Sequence, residues 1–126
     1  YTKNSTINFR ENVFWTPIPV KKEVQKVDFY FPENVYPTQI RLDLGQKQTL
    51  TDTIYLKSIH FDYNGKKRDI VGQELGQFFR ADDNQCKFDP TTGAVIPIVK
   101  DGNVKHPSIY PHQDFLGPEV VKLGQQ

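Results

Sequence analysis

The side chains of this sequence that could do chemistry fall into a few small groups, and most fail on spacing. Asp82, Asp83, Asn84 and Asp89 gather the carboxylate and amide oxygens that a hard cation prefers. A paired-helix calcium loop opening at Asp82 needs Gly at its sixth place and Glu at its twelfth, where this chain has Lys87 and Gly93. The cluster therefore reads as a solvated acidic turn, and no metal is expected. His60, His106 and His112 do not place two imidazoles on one element at a ligand spacing. The single cysteine, Cys86, cannot form an internal disulfide, a metal knuckle or a redox pair. There is no Gly-x-Ser-x-Gly elbow and no Gly-rich phosphate loop, so nucleophilic catalysis and nucleotide binding lose their motifs. Glycoside hydrolysis needs two carboxylates flanking a bond, and fifteen acids supply pairs such as Asp43 and Asp62 without selecting one. No catalytic residue and no cofactor is assigned, and the expectation is a protein that is not an enzyme.

Binding chemistry has better candidates. Arg41 and Asp43 lie two apart on a strand pattern and so point the same way, either pairing with each other or holding a polar ligand. Tyr30 and Tyr55 are opposite in parity to Phe29, Phe31, Ile54 and Leu56; if those apolar residues line the core, both phenols face solvent. An exposed flat ring can stack on the apolar face of a pyranose and keep its hydroxyl for hydrogen bonding. The alternative is that both tyrosines pack under the tail or the first strand. Tyr36 and Tyr110 stand beside prolines in turns, where recognition residues gather. The candidate ligand-binding set is Tyr30, Tyr55, Tyr36, Arg41, Asp43, Asp62 and Tyr110.

The elements that must position these groups are strands. Ile7, Phe9, Val13 and Trp15 share one parity over a strand from 7 to 15, ended by Thr16-Pro17-Ile18-Pro19. Lys26 to Phe31 alternates with Val27, Phe29 and Phe31 inward, and Pro32-Glu33-Asn34 turns the chain. Thr38 to Gly45 places Ile40, Leu42 and Leu44 on the buried face. From Thr51 to Tyr63 the inward parity slips between Leu56 and Ile59, which a β-bulge near Lys57-Ser58 would repair. Asn64-Gly65 is a strong hairpin signal with Lys66 to Val71 returning. Gly72 to Phe79 is the one helical passage, about two turns. Phe88 to Gly93 reads as a turn, Ala94 to Val99 as a strand, and Lys100-Asp101-Gly102-Asn103 as a second hairpin turn. His106 to Pro118, interrupted by Pro and Gly, reads as an irregular strap whose Ile109, Tyr110, Phe115 and Leu116 pack over the sheets.

Composition agrees. In 126 residues Val, Ile and Thr number 29 while Ala occurs twice and Met never, which suits pleated sheets and excludes a helical bundle. No repeat or composition shift divides the chain, so residues 1–126 form one domain: all-β, an antiparallel β-sandwich of jelly-roll or immunoglobulin-like order, with at most one short helix. Sixteen basic against fifteen acidic residues give +1, which removes the basic excess of a nucleic-acid binder, and no apolar stretch reaches membrane-spanning length. The start at Tyr1 without an initiator Met leaves room for an upstream signal or anchor, and one Cys with no Met fits an oxidising compartment; the expected location is extracytoplasmic, periplasm or cell surface.

Two segments carry a resemblance. Tyr36-Pro37-Thr38-Gln39-Ile40-Arg41-Leu42-Asp43-Leu44-Gly45, followed by Ile54-Tyr55-Leu56-Lys57-Ser58-Ile59-His60-Phe61, resembles the paired central strands of galactose-binding-like, carbohydrate-module β-sandwiches, with related segments in envelope proteins of glycan-handling bacteria. The resemblance implies a jelly-roll sandwich and a glycan partner, and it transfers no ligand residue. The resulting expectation is a non-catalytic carbohydrate-binding or glycan-associated domain of a bacterial envelope or secreted protein. The alternative is a structural or protein-interaction domain that contacts other domains of its parent protein and binds no small molecule.

Overall fold

The computed structural model describes residues 1, 13, 23–33, 35–44 and 53–124. The strand expected from 7 to 15, the bend at 16–19 and the closing Gly45 lie outside the described residues, except for Val13. In chain order the elements are β1 (Leu42–Asp43), β2 (Ile54–Tyr55), β3 (Ser58–Tyr63), β4 (Lys66–Val71), a 3-10 turn (Gly72–Glu74), α1 (Leu75–Phe78), β5 (Phe79–Ala81), β6 (Cys86–Asp89), β7 (Ala94–Pro97), β8 (Val99–Lys100), β9 (Asn103–Val104), β10 (Ser108–Pro111) and α2 (Gln113–Gly124). Among the described residues the strands make four small antiparallel sheets, ordered β1-β10-β5, β2-β7-β6, β3-β4 and β8-β9. The fold is mostly strand, with two short helices.

One core joins the first three of these sheets. Ile70 of β4, Leu75 and Phe78 of α1, Phe79 of β5, Cys86 of β6, Val95 of β7, Ile109 of β10, and Leu116 and Val120 of α2 are buried together. Ile40, Leu42, Leu44, Ile54, Leu56, Ile59 and Phe61 pack half-buried against them, as the alternation predicts. The slip between Leu56 and Ile59 is real, but its cause is not a bulge. β2 pairs with β7, whereas β3 pairs with β4, so the chain changes sheets at Leu56-Lys57 and each strand keeps its own inward parity.

The turns follow their residues. Asn64 (φ 49°) and Gly65 (φ 85°) make a two-residue type I′ turn that sets Tyr63 opposite Lys66. Asp101 (φ 52°) and Gly102 (φ 76°) do the same between β8 and β9. The turn after Phe31 is held by the Val35 amide donating to the Pro32 carbonyl at 3.1 Å.

Two expectations need correcting. Lys26 to Phe31 joins no ladder among the described residues, and Phe29 is 46% exposed rather than in the core. Alternation says which face a strand would bury but supplies no partner, and here Phe29 and Tyr30 are both outside. The tail is also not an irregular strap. It forms β10, the central strand of its sheet, and then α2, so the limit of one short helix does not hold. Gly117 and Pro118 hide this helix in the sequence; Pro118 removes one intrahelical hydrogen bond, and burial of Leu116 and Val120, four residues apart on one face, offsets the loss. Arg68 on β4 fastens α2 from outside, its guanidinium meeting Glu74 at 2.6 Å and Glu119 at 3.5 Å.

Candidate functional site

Ile109 and Pro111 of β10 point into the core, so Ser108 and Tyr110 point out of the β1-β10-β5 sheet. Tyr110 is paired with Arg80 of β5 on one side, and Arg41, next to the Leu42–Ile109 pair, reaches it from the other. The result is a cross-strand row, Arg41-Tyr110-Arg80, with both guanidiniums against the phenol ring at 5.4 and 5.2 Å from its centroid. Such contacts contribute roughly 0.5–1 kcal/mol each where solvent reaches them. The neighbouring row holds Asp43 opposite Ser108.

Hydrogen bonds tie the rows together. Arg41 donates to Asp43 Oδ2 at 2.8 Å and to the Tyr110 hydroxyl at 3.3 Å, while the Ser108 hydroxyl donates to Asp43 Oδ1 at 3.0 Å. The Arg41 and Asp43 side chains are 24% and 21% exposed, so the pair is partly buried, and the Tyr1 amino group lies near enough to interact with both charges. Burial would pull the Arg41 pKa down, but the Asp43 hydrogen bond and charge, helped by Tyr110, hold it above its ordinary value. Arg41 therefore keeps its charge across the physiological range, offering fork-like donors beside the Asp43 carboxylate.

Arg80 also borders an open groove of about 360 Å³, lined by Phe88 and Pro90 together with Arg80, Asp83, Lys87 and His112. Arg80 and Lys87 come to it from β5 and β6, whose connecting turn is built by the acids once compared with a calcium loop. The Asp82 carbonyl accepts from the Gln85 and Cys86 amides, and its carboxylate accepts from the Asn84 amide at 3.1 Å. Asp89 likewise holds the Thr91 amide at 2.9 Å and the Thr92 hydroxyl at 3.3 Å. These carboxylates shape turns, and among the described residues no group of three or more His, Cys, Asp or Glu stands ready for a metal. His112 is fixed by its amide to the Phe78 carbonyl at 2.8 Å and opens α2 by accepting from Phe115 and Leu116.

The other expected residues have contacts of their own. Tyr30 is 85% exposed and Tyr55 59% exposed; parity accounts for Tyr55, opposite to the half-buried Ile54 and Leu56, but not for Tyr30, whose neighbour Phe29 is exposed as well. The Lys57 ammonium lies 5.2 Å from the Tyr55 ring centroid. Tyr36 meets Tyr63 edge to face at 5.7 Å, with their hydroxyls 3.3 Å apart, a bond that raises the Tyr63 pKa. Asp62 serves the hairpin, accepting from the Gly65 amide and facing Lys67 at 3.9 Å. Of the seven candidates the fold thus brings three together, Arg41, Asp43 and Tyr110. Their partner Arg80 escaped the sequence reading because its pairing with Tyr110 depends on β10 being a strand.

A second polar chain was also missed. Ser58 Oγ lies 2.9 Å from His60 Nε2, and His60 Nδ1 lies 2.7 Å from Asp69 Oδ1. Counting outward from the Tyr63–Lys66 pair sets His60 opposite Asp69, so the Asn64-Gly65 turn contained that signal. The His60 and Asp69 side chains are more than half exposed, open to water and away from the groove, where a serine gains little from the order of these contacts. Cys86 is no nucleophile either: it is buried, its thiol donates to the Ser108 carbonyl at 3.4 Å, and burial pushes its pKa up.

Comparison of this chain with protein-family models, with curated proteins and with solved structures gives no match.

Proposed function

We propose that this chain is a non-catalytic carbohydrate-binding or glycan-associated domain of a bacterial envelope or secreted protein, with its small sheets arranged as a β-sandwich of the galactose-binding-like kind. The observation that carries the reading is the convergence of Arg41, Asp43 and Tyr110 on one sheet face beside an open groove. A sugar presents adjacent hydroxyls that both donate and accept. Asp43 offers acceptor oxygens, Arg41 offers donors, and the Tyr110 hydroxyl offers both, so their exposed parts match two neighbouring sugar hydroxyls. The resemblance of the Tyr36–Gly45 and Ile54–Phe61 segments to carbohydrate modules supports the same class. No helix among the described residues is long and apolar enough to cross a membrane. With only a few hydrogen bonds and little enclosed area, millimolar affinity is expected, about −4 kcal/mol.

The test is calorimetric or NMR titration of plant, mucin and bacterial glycans. The wild type should bind at least one of them, and Asp43→Ala or Tyr110→Phe should weaken that binding several-fold. Tyr30→Ala and Tyr55→Ala, outside the Arg41-Asp43-Tyr110 set, should leave it unchanged. A wild type that binds no glycan would favour the structural or protein-interaction domain instead. One observation speaks for that second reading: Val24, Phe29, Tyr30 and Tyr36 are exposed at 80%, 46%, 85% and 45% along one stretch of chain, an apolar surface that another domain of the same protein could cover.

A further inference from the structure

We infer that the groove beside Arg80 accepts the carboxylate of an acidic sugar, so that the glycan bound on this face is a uronic-acid-containing one; this deepens the glycan reading and rests on it. The charges around the groove do not balance. Arg80 and Lys87 face a single acid, Asp83. Arg80 contacts the Ala81 carbonyl at 3.4 Å and the Tyr110 ring, and among the described residues no carboxylate lies within ion-pair distance of Arg80 or Lys87. Arg80 therefore keeps donors to spare in the planar fork that matches a carboxylate. Phe88 and Pro90 supply an apolar wall, which suits the C–H face of a pyranose and gives nothing to a small inorganic anion. The volume of about 360 Å³ lies at the small end of the range for ligand clefts, roughly 300–1,000 Å³, enough for one charged sugar unit rather than a long chain.

The two halves of the face then divide the work by charge. Arg41 is neutralised by Asp43 and suits hydroxyls, while Arg80 and Lys87 are uncompensated and suit an anion. Arg80 belongs to both, through the Tyr110 ring and through the groove. With a net charge of only +1, the chain has no general attraction for polyanions, so selectivity for acidic glycans must come from this local imbalance.

The experiment titrates the whole chain with tri-galacturonic acid, with its fully methyl-esterified form, and with inorganic phosphate, at low and at moderate salt. The acid should bind about tenfold more tightly than the ester at low salt, and the preference should shrink as salt rises. Lys87→Gln, outside the Tyr110 row, should abolish most of the preference while leaving ester binding and the thermal midpoint unchanged; Arg80→Gln should abolish the preference too, together with some ester affinity and stability, because it also removes the contact with the Tyr110 ring. Equal binding of acid and ester overturns the groove proposal but leaves the glycan reading standing. Phosphate binding as tight as the acid, and lost with Arg80, also overturns it, since the site would then be one for small anions. If neither trisaccharide binds and the broader glycan titration also fails, both readings fall together.

Discussion

Gly65 and Gly93 share a positive φ, 85° and 82°, yet their surroundings set different penalties for replacement. A Cβ on Gly65 meets nothing within 4 Å, so Gly65→Val should cost only the strain of a β-branched residue in a left-handed turn, about 1 kcal/mol or somewhat more. A Cβ on Gly93 would sit 2.3 Å from the Leu56 carbonyl oxygen, at the point where the Leu56 amide donates to Gly93. Gly93→Ala should therefore cost more, on the order of 2–4 kcal/mol, because strain and a backbone clash add. Urea midpoints of the two variants check the order, and a Gly93→Ala protein as stable as wild type would remove the argument. Cys86 gives a pH prediction. Burial raises its folded pKa above the unfolded value, so its contribution to stability is complete below the ordinary thiol range and is lost as pH rises through the raised folded value. Between those limits the wild type should lose stability with pH more steeply than Cys86→Ala, and a thiol reagent should label Cys86 only as the protein unfolds. The polar pair at 41 and 43 was legible in the sequence because period two alone puts both side chains on one face. Arg80 was not, since no local pattern carries its partner.

At the scale of elements, turn residues were the most legible signals. Asn64-Gly65 and Asp101-Gly102 each dictate a backbone that only a tight hairpin uses, and both hairpins form with the expected register. The helical passage after Gly72 was legible as well, with Leu75 and Phe78 buried. Alternation was weaker evidence: it found the inward residues from Ile40 to Leu44 but also suggested a strand over 26–31, which joins no ladder among the described residues. α2 was illegible because Gly117-Pro118 contradicts its apolar stripe locally, and only tertiary burial decides between them. Since its own propensity is poor, α2 depends on being held. Arg68 bridges Glu74 and Glu119 and also covers the Phe78 ring at 5.2 Å. These side chains are about a third exposed, so water screens the ion pairs, and Arg68→Ala should cost about 1 kcal/mol from lost packing and charge together. Hydrogen exchange should quicken selectively in Leu116 to Leu123; uniform exchange with an unchanged midpoint would show that the clamp does nothing.

For the molecule as a whole, β10 has the greatest consequence. It is the middle strand between β1 and β5, and the hydrogen bond from Arg41 to Tyr110 joins residues 69 apart in sequence. The β3-β4 hairpin, by contrast, closes across two residues. Local pairs form early and distant ones late, because loop closure must precede the contacts that reward it. Refolding followed by a probe in the β3-β4 hairpin should therefore run ahead of one reporting Tyr110, and simultaneous recovery of both would count against this order. The face carrying Arg41, Asp43 and Tyr110 has no existence before its central strand arrives. During synthesis, every chain still short of Tyr110 carries Arg41 and Asp43 without the strand that aligns them, so the glycan recognition proposed for this face would be withheld from incomplete copies and begin only once the polypeptide has emerged through β10.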